Sequence, residues 1–346
     1  MRTTLPFSYY TDPEILRREA VAVFGCHWQY VGPTALVADP TSIAPVTAAF
    51  RPVLLARDRE GVLRAFLNVC RHRGAQLADS PDTRSTIQCP YHAWTYDLDG
   101  RLRAAPRSDR EDAFDRASFS LLPLAVDTWG PFVFVNPDPR ARPLAETLGP
   151  LPDLVAATGI DLDGLTFHSR SETRYRANWK VCCENFLECY HCQVAHPGLV
   201  EVLDVSEDGY RLEESGLLSS QYGPLKAGPG GAFDPTGEIR AGQFHFLFPN
   251  LTVNIAPGRP NLSLGPVVPD GPAGTTRTLD YFFGPDVDED WIAGYLRWDA
   301  QVGLEDAALV ERVQRGVSTA GADSGVLLRS ERLIGHFDRL LQEALA

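Results

Sequence analysis

Two short pairs of cysteine and histidine constrain this chain more than any other feature of its sequence. One residue separates Cys70 from His72, two separate Cys89 from His92, and sixteen lie between the pairs. Each pair offers a thiolate and an imidazole, so two loops can converge on one metal centre. Three interpretations fit the pattern C-x-H-x16-C-x2-H: a structural zinc site, a [2Fe–2S] cluster with two Cys and two His ligands, or no metal.

Composition narrows the function classes further. The net charge of −13 argues against nucleic acid as a partner and against binding to anionic membrane surfaces. No apolar run is long enough to cross a bilayer, and the start MRTTLPFSYY lacks the apolar core of a secretion signal. We therefore expect a cytoplasmic protein, in which several of the seven cysteines bind metal and do not form disulfides.

The chain of 346 residues is long enough for about two domains. An opening segment, 1–29, predicts a helix with Asp12 as its N-cap. Short strand patterns separated by turns then predict an all-β domain over 30–140. A proline-rich stretch follows, and 150–346 mixes helix and strand patterns. The predicted fold class is therefore α+β.

In the second domain, the hydrophobic spacing predicts helices and strands, and two Gly/Pro-rich stretches predict loops. The predicted helices are 178–192, 289–315 and 325–345, and the predicted loops are 223–237 and 256–275.

A second constellation lies in the segment NWKVCCENFLECYHCQVAHPGL, residues 178–199. If its first part is helical, Glu184, Glu188 and His191 share one face. His196 follows five residues after His191, where Pro197 marks that the helix has ended. Two imidazoles are thus delivered together, as in a 2-His-1-carboxylate site for Fe(II) with open positions for O₂.

The carboxylate of such a site has to come from elsewhere in the chain. Asp306 is the candidate, because it lies on a predicted helix with an apolar side, and the neighbouring Glu305 is its rival. The alternative is that Asp306 is an ordinary solvated helix residue. The sequence pattern alone leaves these possibilities open.

The string NVCRHRGAQL…CPYHAWTYDLDGRL resembles the Rieske domain of non-haem iron oxygenases. ENFLECYH, with a distant E-D followed by E-x-x-Q, resembles their catalytic domain. The resemblance covers nearly the whole chain and implies the oxygenase (alpha) subunit, with an antiparallel sheet and helices of the helix-grip type. It implies that Cys70 and Cys89 bind one iron of the cluster and His72 and His92 the other. It implies His191, His196 and Asp306 as ligands of the mononuclear iron.

The same resemblance gives Glu188 a role. In this family a carboxylate at that position links a cluster histidine of one subunit to an iron-ligand histidine of its neighbour in a trimer. The resemblance therefore implies His92 and His191 as the partners of Glu188. It also implies a homotrimer. Ring dioxygenases have Asp there, whereas members that oxidise choline, carnitine and betaines have Glu. Asn185 is expected near the iron, with packing as the alternative.

The remaining cysteines near this segment are Cys182, Cys183, Cys189 and Cys192. Although Cys189 and Cys192 have the C-x-x-C spacing of a redox dithiol, the strand–helix context of such motifs is missing. We therefore expect all four to be small packing residues.

The predicted function is O₂-dependent monooxygenation of a small quaternary ammonium substrate, by N-demethylation or by hydroxylation beside the nitrogen. Its cation would need an aromatic cage, for which Phe244, Phe246, Tyr281 and Trp298 are candidates, all more often core residues. An aromatic-ring hydroxylase is the rival enzyme. A Rieske electron-transfer protein and a zinc-binding protein are rivals of another class.

Electrons have to come from outside the chain. The sequence has no dinucleotide-binding fingerprint, so NAD(P)H is implied only indirectly, through a flavin and iron–sulfur reductase or a ferredoxin. Residues 51–107 contain ten Arg and no Lys against six acidic residues, a net charge of +4 in an acidic chain. This basic region would attract an acidic electron donor; the alternative is an ordinary solvated surface.

Overall fold

The computed structural model describes residues 2–228, 231, 233–319 and 321–346. By its contacts the chain divides into two compact units. One is Phe24–Leu144, and the other combines the N-terminal residues up to Val23 with Ala145–Ala346. Among the described residues, no helix is both long and apolar enough to span a membrane.

The elements are numbered in chain order over the described residues. The strands are β1 (Arg2–Thr3), β2 (Gln29–Pro33), β3 (Ser42–Ala48), β4 (Arg51–Arg57), β5 (Leu63–Leu67), β6 (Asp82–Thr83), β7 (Ile87–Gln88), β8 (Thr95–Tyr96), β9 (Leu102–Ala104), β10 (Pro123–Trp129), β11 (Phe132–Asn136), β12 (Thr166–Tyr175), β13 (Arg211–Ser215), β14 (Leu218–Pro224), β15 (Ala241–Leu247), β16 (Leu251–Ile255), β17 (Asn261–Pro269), β18 (Thr275–Phe283) and β19 (Val326–Leu327). The helices are α1 (Pro13–Glu19), α2 (Leu144–Leu148), α3 (Leu151–Ala156), α4 (Trp179–Phe186), α5 (Cys192–Ala195), α6 (Pro197–Val200), α7 (Glu289–Val317) and α8 (Arg332–Leu345).

The unit Phe24–Leu144 is built from antiparallel strands, as predicted. Its larger sheet has the order β2-β11-β10-β5-β4-β3-β6, and a smaller sheet has the order β7-β8-β9. In β4 the consecutive side chains Val53, Leu54, Leu55 and Ala56 are all fully buried. Because side chains alternate between the faces of a strand, this run shows that both faces of the sheet are covered.

The other unit contains a seven-stranded antiparallel sheet, order β12-β18-β17-β16-β15-β14-β13, with helices packed on it. Alternate residues of β18, such as Tyr281 and Phe283, pack with Trp291, Tyr295 and Trp298 of α7. The predicted α+β class and the antiparallel sheet with helices are confirmed. The long helix begins at its N-cap Asp288, whose side chain accepts a hydrogen bond from the N–H of Trp291.

The helix predicted over 178–192 is wrong in its second half. Helix α4 begins after the N-cap Asn178 and ends at Phe186. The carboxylate of Glu188 accepts hydrogen bonds from the backbone N–H groups of Tyr190 and His191. Such local side-chain bonds compete with the helical pattern, so the chain turns here and a new short helix starts at Cys192.

The loop predicted over 256–275 is also wrong, because it contains β17. A side chain at Gly265 would collide with the carbonyl oxygen of Thr278 in the neighbouring strand, since its Cβ would lie 1.8 Å from that oxygen. Glycine therefore serves here for close strand packing and not for a turn. The predicted loop 223–237 includes 229, 230 and 232, which lie outside the described residues.

The last predicted helix starts later than expected. Helix α8 begins at Arg332, and Val326–Leu327 instead forms β19, which pairs with β1 at the N-terminal end of the chain. A two-residue strand leaves no periodicity from which this pairing could be predicted.

Asp338, on α8, is a buried carboxyl whose protonation affects stability. Burial raises the pKa of its carboxyl to about 7, partly offset by the Leu5 backbone and the charge of Lys180. Since its folded pKa lies above its unfolded value, its stabilising contribution is lost as pH rises from about 4 through 7. We expect Asp338→Asn to stabilise this unit by about 1–2 kcal/mol at pH 8, and by less at pH 5.5, in thermal unfolding followed by circular dichroism.

The control is Glu343→Gln on the same helix, whose exposed carboxylate pairs with Arg339. It should change the unfolding midpoint little at either pH. A gain for Asp338→Asn that is equal at both pH values would contradict the assignment of a buried, titrating carboxyl.

Candidate metal centres

The two Cys-His loops predicted to hold one metal centre have the same backbone hydrogen bonds. In each loop the cysteine N–H donates to the carbonyl of the fifth residue after it, and the fourth residue donates back to the cysteine carbonyl. The four bonds are Cys70 N to Ala75 O (2.8 Å), Gly74 N to Cys70 O (3.0 Å), Cys89 N to Trp94 O (2.8 Å) and Ala93 N to Cys89 O (3.1 Å).

Backbone conformation repeats between the loops as well. The fourth residue after each cysteine has a positive φ, +75° at Gly74 and +57° at Ala93. Glycine adopts this left-handed conformation readily, whereas alanine does so only at a cost of about 1 kcal/mol. A strained residue that is held in place this way is typical of functional loops.

The side chains of the two loops lie together. The rings of His72 and His92 are 4.7 Å apart, and Trp94 stacks on His72 at 4.9 Å. Cys70 and Cys89 are buried free thiols. Burial raises the pKa of the Cys70 thiol, and the neighbouring Cys89 raises it further. In the described part of the chain, the Nδ1 atom of His92 is buried without a hydrogen-bond partner, as a nitrogen that binds metal would be. These residues fit a two-Cys, two-His cluster.

The predicted mononuclear site is also assembled. The Nε2 atoms of His191 and His196 are 3.1 Å apart, and Oδ1 of Asp306 lies 3.1 Å from the second and 3.4 Å from the first. Ligand atoms about 2.1 Å from a metal and about 90° apart would be separated by roughly 3 Å. The three atoms therefore fit one face of an octahedral metal, which leaves the opposite face open.

Each imidazole is fixed from behind by a carboxylate. Glu188 Oε1 is hydrogen-bonded to Nδ1 of His191, and Glu305 Oε2 lies 2.9 Å from Nδ1 of His196. The rival ligand Glu305 is thus placed behind a histidine and not with Asp306 at the centre. With Nδ1 donating outward, each Nε2 faces the centre and, once it loses its proton, can offer its lone pair to a metal there.

Asn185 contacts the site directly, since its Nδ2 donates to Oδ1 of Asp306 at 2.7 Å. Burial alone would raise the pKa of Asp306, but hydrogen bonds from His191 and His196 outweigh it and hold that pKa well below its usual range. Burial would lower the pKa of His191, yet Asp306 and Glu188 raise it to about 9. The site therefore attracts positive charge.

Three elements position these groups. His191 and His196 flank the short helix α5, and Asp306 lies within α7. Cys189 and Cys192 were predicted to be packing residues. They instead form a disulfide with each other, and His191 lies between them in the sequence. The Cys192 sulfur lies within 4.8 Å of the imidazole nitrogens, but a disulfide sulfur is not a thiolate ligand. Cys182 and Cys183 are buried free thiols.

A cavity of about 80 Å³, partly open to solvent, reaches the mononuclear site. Besides His191, His196 and Asp306, it is lined by side chains that include Asn185, Phe186, Glu188, Tyr210, Gln221, Phe244, Asn254, Arg277 and Asp299. Of these, Phe186, Tyr210, Gln221, Asn254, Arg277 and Asp299 were not predicted. Phe186 lies within the ENFLECYH string, next to Asn185, but its role in the cavity gave no signal of its own. The other five are far apart in the sequence, on strands, a helix and a loop, and no local motif connects them.

Of the four aromatic residues considered for a cage, only Phe244 lines this cavity. Phe246 packs on Phe337, and the hydroxyl of Tyr281 donates to Asp299 at 2.7 Å. The indole N–H of Trp298 donates to the Gly198 carbonyl at 3.0 Å. The last three are thus core or supporting residues.

Glu188 contacts His191 as predicted from the resemblance. Its pairing with His92 of a neighbouring subunit stays a prediction.

A cluster site and a 2-His-1-carboxylate site in one chain define the class of Rieske non-haem iron oxygenases. The Rieske [2Fe-2S] domain family matches residues 27–125, and the catalytic domain of the ring-hydroxylating alpha subunit matches residues 162–346. The chain therefore belongs to the Rieske-type ring-hydroxylating oxygenase alpha subunits. It is an oxidoreductase that uses a [2Fe–2S] cluster, a mononuclear iron and O₂, which confirms the predicted cofactors.

Curated relatives cover almost the whole chain. The carnitine monooxygenase oxygenase subunit of Escherichia coli is 32% identical over 98% of this chain and 93% of its own length. The chloroplastic choline monooxygenase of Arabidopsis thaliana is 32% identical over 99% of this chain and 83% of its own length. Oxygenase subunits of this family act on small molecules together with a reductase or another electron-transfer partner.

Solved structures agree with the fold. A quaternary ammonium Rieske monooxygenase crystallised with an inhibitor has a TM-score of 0.89 and 29% identity, over 99% of this chain and 96% of its own. Naphthalene 1,2-dioxygenase from Rhodococcus has a TM-score of 0.81 at 19% identity, over 99% of this chain and 94% of its own. At that identity the second likeness shows the fold alone.

The carboxylate behind His196 can be tested on iron binding. Glu305→Gln keeps the size of the side chain but removes the charge that orients and polarises the imidazole. We expect Fe(II) affinity to fall by about 10–100-fold, measured as iron retained during titration with a chelator. The matched control is Glu311→Gln on the same helix, whose carboxylate pairs with Arg176 at the surface. Equal iron retention by both variants would contradict the role given to Glu305.

Proposed function

We propose that this chain catalyses the O₂-dependent monooxygenation of a small quaternary ammonium compound, with electrons from a separate reductase. Relatives at 32% identity that span nearly the whole chain and are named for carnitine and choline support this substrate class. The observation that carries the proposal is Glu188, hydrogen-bonded to His191, at a position where a ring dioxygenase would have Asp.

The cavity supports a cationic substrate on physical grounds. Phe186, Tyr210 and Phe244 line it with aromatic rings, and Asp299 and Glu188 add carboxylates. Aromatic faces and carboxylates both attract a quaternary ammonium group, which cannot donate a hydrogen bond. An apolar arene would gain no such attraction from the carboxylates.

The proposed roles of the residues follow from their contacts. His191, His196 and Asp306 would hold the mononuclear iron, and Cys70, His72, Cys89 and His92 would hold the [2Fe–2S] cluster. When bound, these groups supply single-electron storage and O₂ activation. Asn185 holds Oδ1 of Asp306, and Glu188 and Glu305 orient the two imidazoles. Each of these three is a positioning residue.

The proposed reaction is a two-electron monooxygenation. One oxygen atom of O₂ enters a C–H bond beside the substrate nitrogen, and the other leaves as water, which consumes two electrons and two protons. Hydroxylation of an N-methyl group gives a carbinolamine. Its C–N bond breaks to release formaldehyde, a tertiary amine and a proton. Hydroxylation of another carbon beside nitrogen would break that C–N bond or oxidise that carbon instead.

The assembly and the partner are proposed as well. We expect a homotrimer in which Glu188 of one subunit serves His92 of the next. The exposed side chains Tyr190 and Val194 on either side of His191 are consistent with a protein contact there. The basic region 51–107 would receive the reductase or ferredoxin, and its exposed Arg73 lies over the ring of Tyr91 at 5.3 Å. The proposed domains are 1–29, 30–140 for the cluster and 150–346 for the mononuclear iron.

Product formation tests the reaction. The purified protein would be supplied with a surrogate reductase, NADH and O₂ and with a panel of betaines, carnitine, choline and simple arenes. We expect formaldehyde or an amine fragment from an ammonium compound, and a loss of at least about 1,000-fold in Asp306→Ala, which removes an iron ligand. A hydroxylated arene, without product from any ammonium compound, would overturn the proposed substrate class.

Subunit mixing tests the assembly. Cys89→Ala and Asp306→Ala chains should each be inactive alone. If a cluster serves the neighbouring subunit, oligomers co-expressed from both chains recover part of the activity, and the mass by light scattering is three times that of the chain. No recovery in oligomers shown to be mixed would contradict the arrangement.

A further inference from the structure

Arg277 is a charged residue of the cavity wall whose role the iron site leaves open. It lies in β18, where its backbone is opposite Thr173 of β12 and Val267 of β17, so it is held by strands on both sides. Alternate residues of a strand lie on the same face, so Arg277 shares a face with Leu279 and Tyr281, whose side chains pack toward α7. Its side chain thus reaches the cavity from a rigid sheet.

Arg277 is the one Arg or Lys among the described residues that line the cavity. Its Nε atom is buried and, within the described part of the chain, has no hydrogen-bond partner. No carboxylate of the described residues forms an ion pair with it within 4.0 Å. A buried guanidinium that keeps a free donor is costly unless a ligand pairs with it.

Other polar groups of the cavity already have partners. The amide nitrogen of Gln221 donates to the Phe186 carbonyl at 2.6 Å, and that of Asn254 donates to Ser263 Oγ at 3.2 Å. Asn185 donates to Asp306. Arg277 is therefore the group best able to bind an anionic ligand, because guanidinium binds carboxylate with paired N–H donors.

The nearby charges could give Arg277 a purely internal role. Its pKa is raised because Tyr175, Asp299, Tyr281 and Asp306 outweigh the effect of burial. Asp299, however, already accepts a hydrogen bond from the Tyr281 hydroxyl, and Asp306 is occupied by the two imidazoles. Neither carboxylate is close enough to form an ion pair with the guanidinium. Tyr175 shares a side-chain hydrogen bond with Arg277, but a countercharge role still leaves the Nε donor unused.

We propose that Arg277 binds the carboxylate of the substrate, so that the substrate is a zwitterionic betaine and not an amino alcohol. This inference rests on the proposed function and makes its substrate class narrower. The ammonium end would lie toward His191, His196 and Asp306, and the carboxylate end toward β18. Arg277 is then a specificity-determining residue, which distinguishes betaines from choline-like cations.

Binding without turnover tests the proposal. Calorimetry on the iron-loaded protein, in the absence of O₂ and reductase, would compare glycine betaine, γ-butyrobetaine and carnitine with their methyl esters and with choline. The ester keeps the ammonium group and removes the negative charge. We expect the wild-type protein to bind at least one betaine about 10–100-fold more tightly than its ester, as a charged hydrogen-bonded pair provides.

Variants assign the preference to Arg277. Arg277→Gln should weaken binding of that betaine by about 10–100-fold and change binding of the ester by less than about threefold, and Arg277→Lys should recover part of the loss. The matched control is Arg174→Gln on β12, whose side chain is exposed and pairs with Glu172. It removes the same charge from the same sheet and should leave both affinities unchanged.

A second variant separates the substrate role from the internal one. If Arg277 only compensates Asp299, the double variant Arg277→Gln with Asp299→Asn should bind the betaine as the wild-type protein does. Under the proposal, its affinity for the betaine remains low. Iron content, measured in every variant, shows that the metal site is still formed.

The outcomes distinguish this inference from the proposed function. Equal binding of betaine and ester, a preference for choline, equal losses for both ligands in Arg277→Gln, or rescue by Asp299→Asn would each overturn the role of Arg277 while quaternary ammonium binding stands. Failure of the wild-type protein to bind any of these ammonium compounds would overturn the proposed function and the betaine assignment with it.

Discussion

The convergence of His191 Nε2, His196 Nε2 and Asp306 Oδ1 is the constraint on which the rest of the catalytic unit depends. To hold a metal, both imidazoles must turn Nε2 toward the same point as the carboxylate oxygen. The carboxylates of Glu188 and Glu305 fix that orientation by taking the Nδ1 hydrogens. Each carboxylate therefore favours one tautomer and one ring orientation before any metal binds, and the site is preorganised for the open-faced geometry of non-haem iron.

The backbone of the catalytic unit follows from this requirement. A continuous helix over 178–192 would have used the backbone N–H groups of Tyr190 and His191 in helical hydrogen bonds, so that they could not donate to Glu188. The chain instead stops α4 at Phe186, uses the Glu188 carboxylate to hold the next backbone N–H groups, and places His191 and His196 at either end of α5. The long helix α7 then delivers Glu305 and Asp306 side by side, so that one carboxylate meets the metal position and the other supports His196. The helix break thus helps to bring together the residues proposed to hold the mononuclear iron.

How much the sequence could predict depended on whether the signal was local. The Cys70–His72 and Cys89–His92 pairs are local, so they predict a metal centre whatever the fold. Alternating hydrophobic residues are also a local signal, and they predict strands in the same way. By contrast, glycine and proline in 256–275 predicted a loop, because sequence does not reveal that Gly265 faces the backbone of a neighbouring strand. The helix break was missed because a single side-chain interaction of Glu188 outweighs helical periodicity. Arg277 resembled any other strand residue until three dimensions placed it in a cavity with residues more than eighty positions away.

The charge balance of that cavity explains why one arginine could decide specificity. Its acids are Glu188, Asp299 and Asp306, of which Glu188 is shared with His191, Asp306 with both imidazoles, and Asp299 with Tyr281. These contacts satisfy the carboxylates, whereas the Nε donor of Arg277 has no hydrogen-bond partner among the described residues. The acidic side chains of the cavity attract the ammonium group of either substrate, but a simple cation offers no acceptor to the Nε donor of Arg277. The carboxylate of a zwitterion supplies that acceptor. Because a buried donor without a partner is costly, this difference selects between two substrates that carry the same ammonium group.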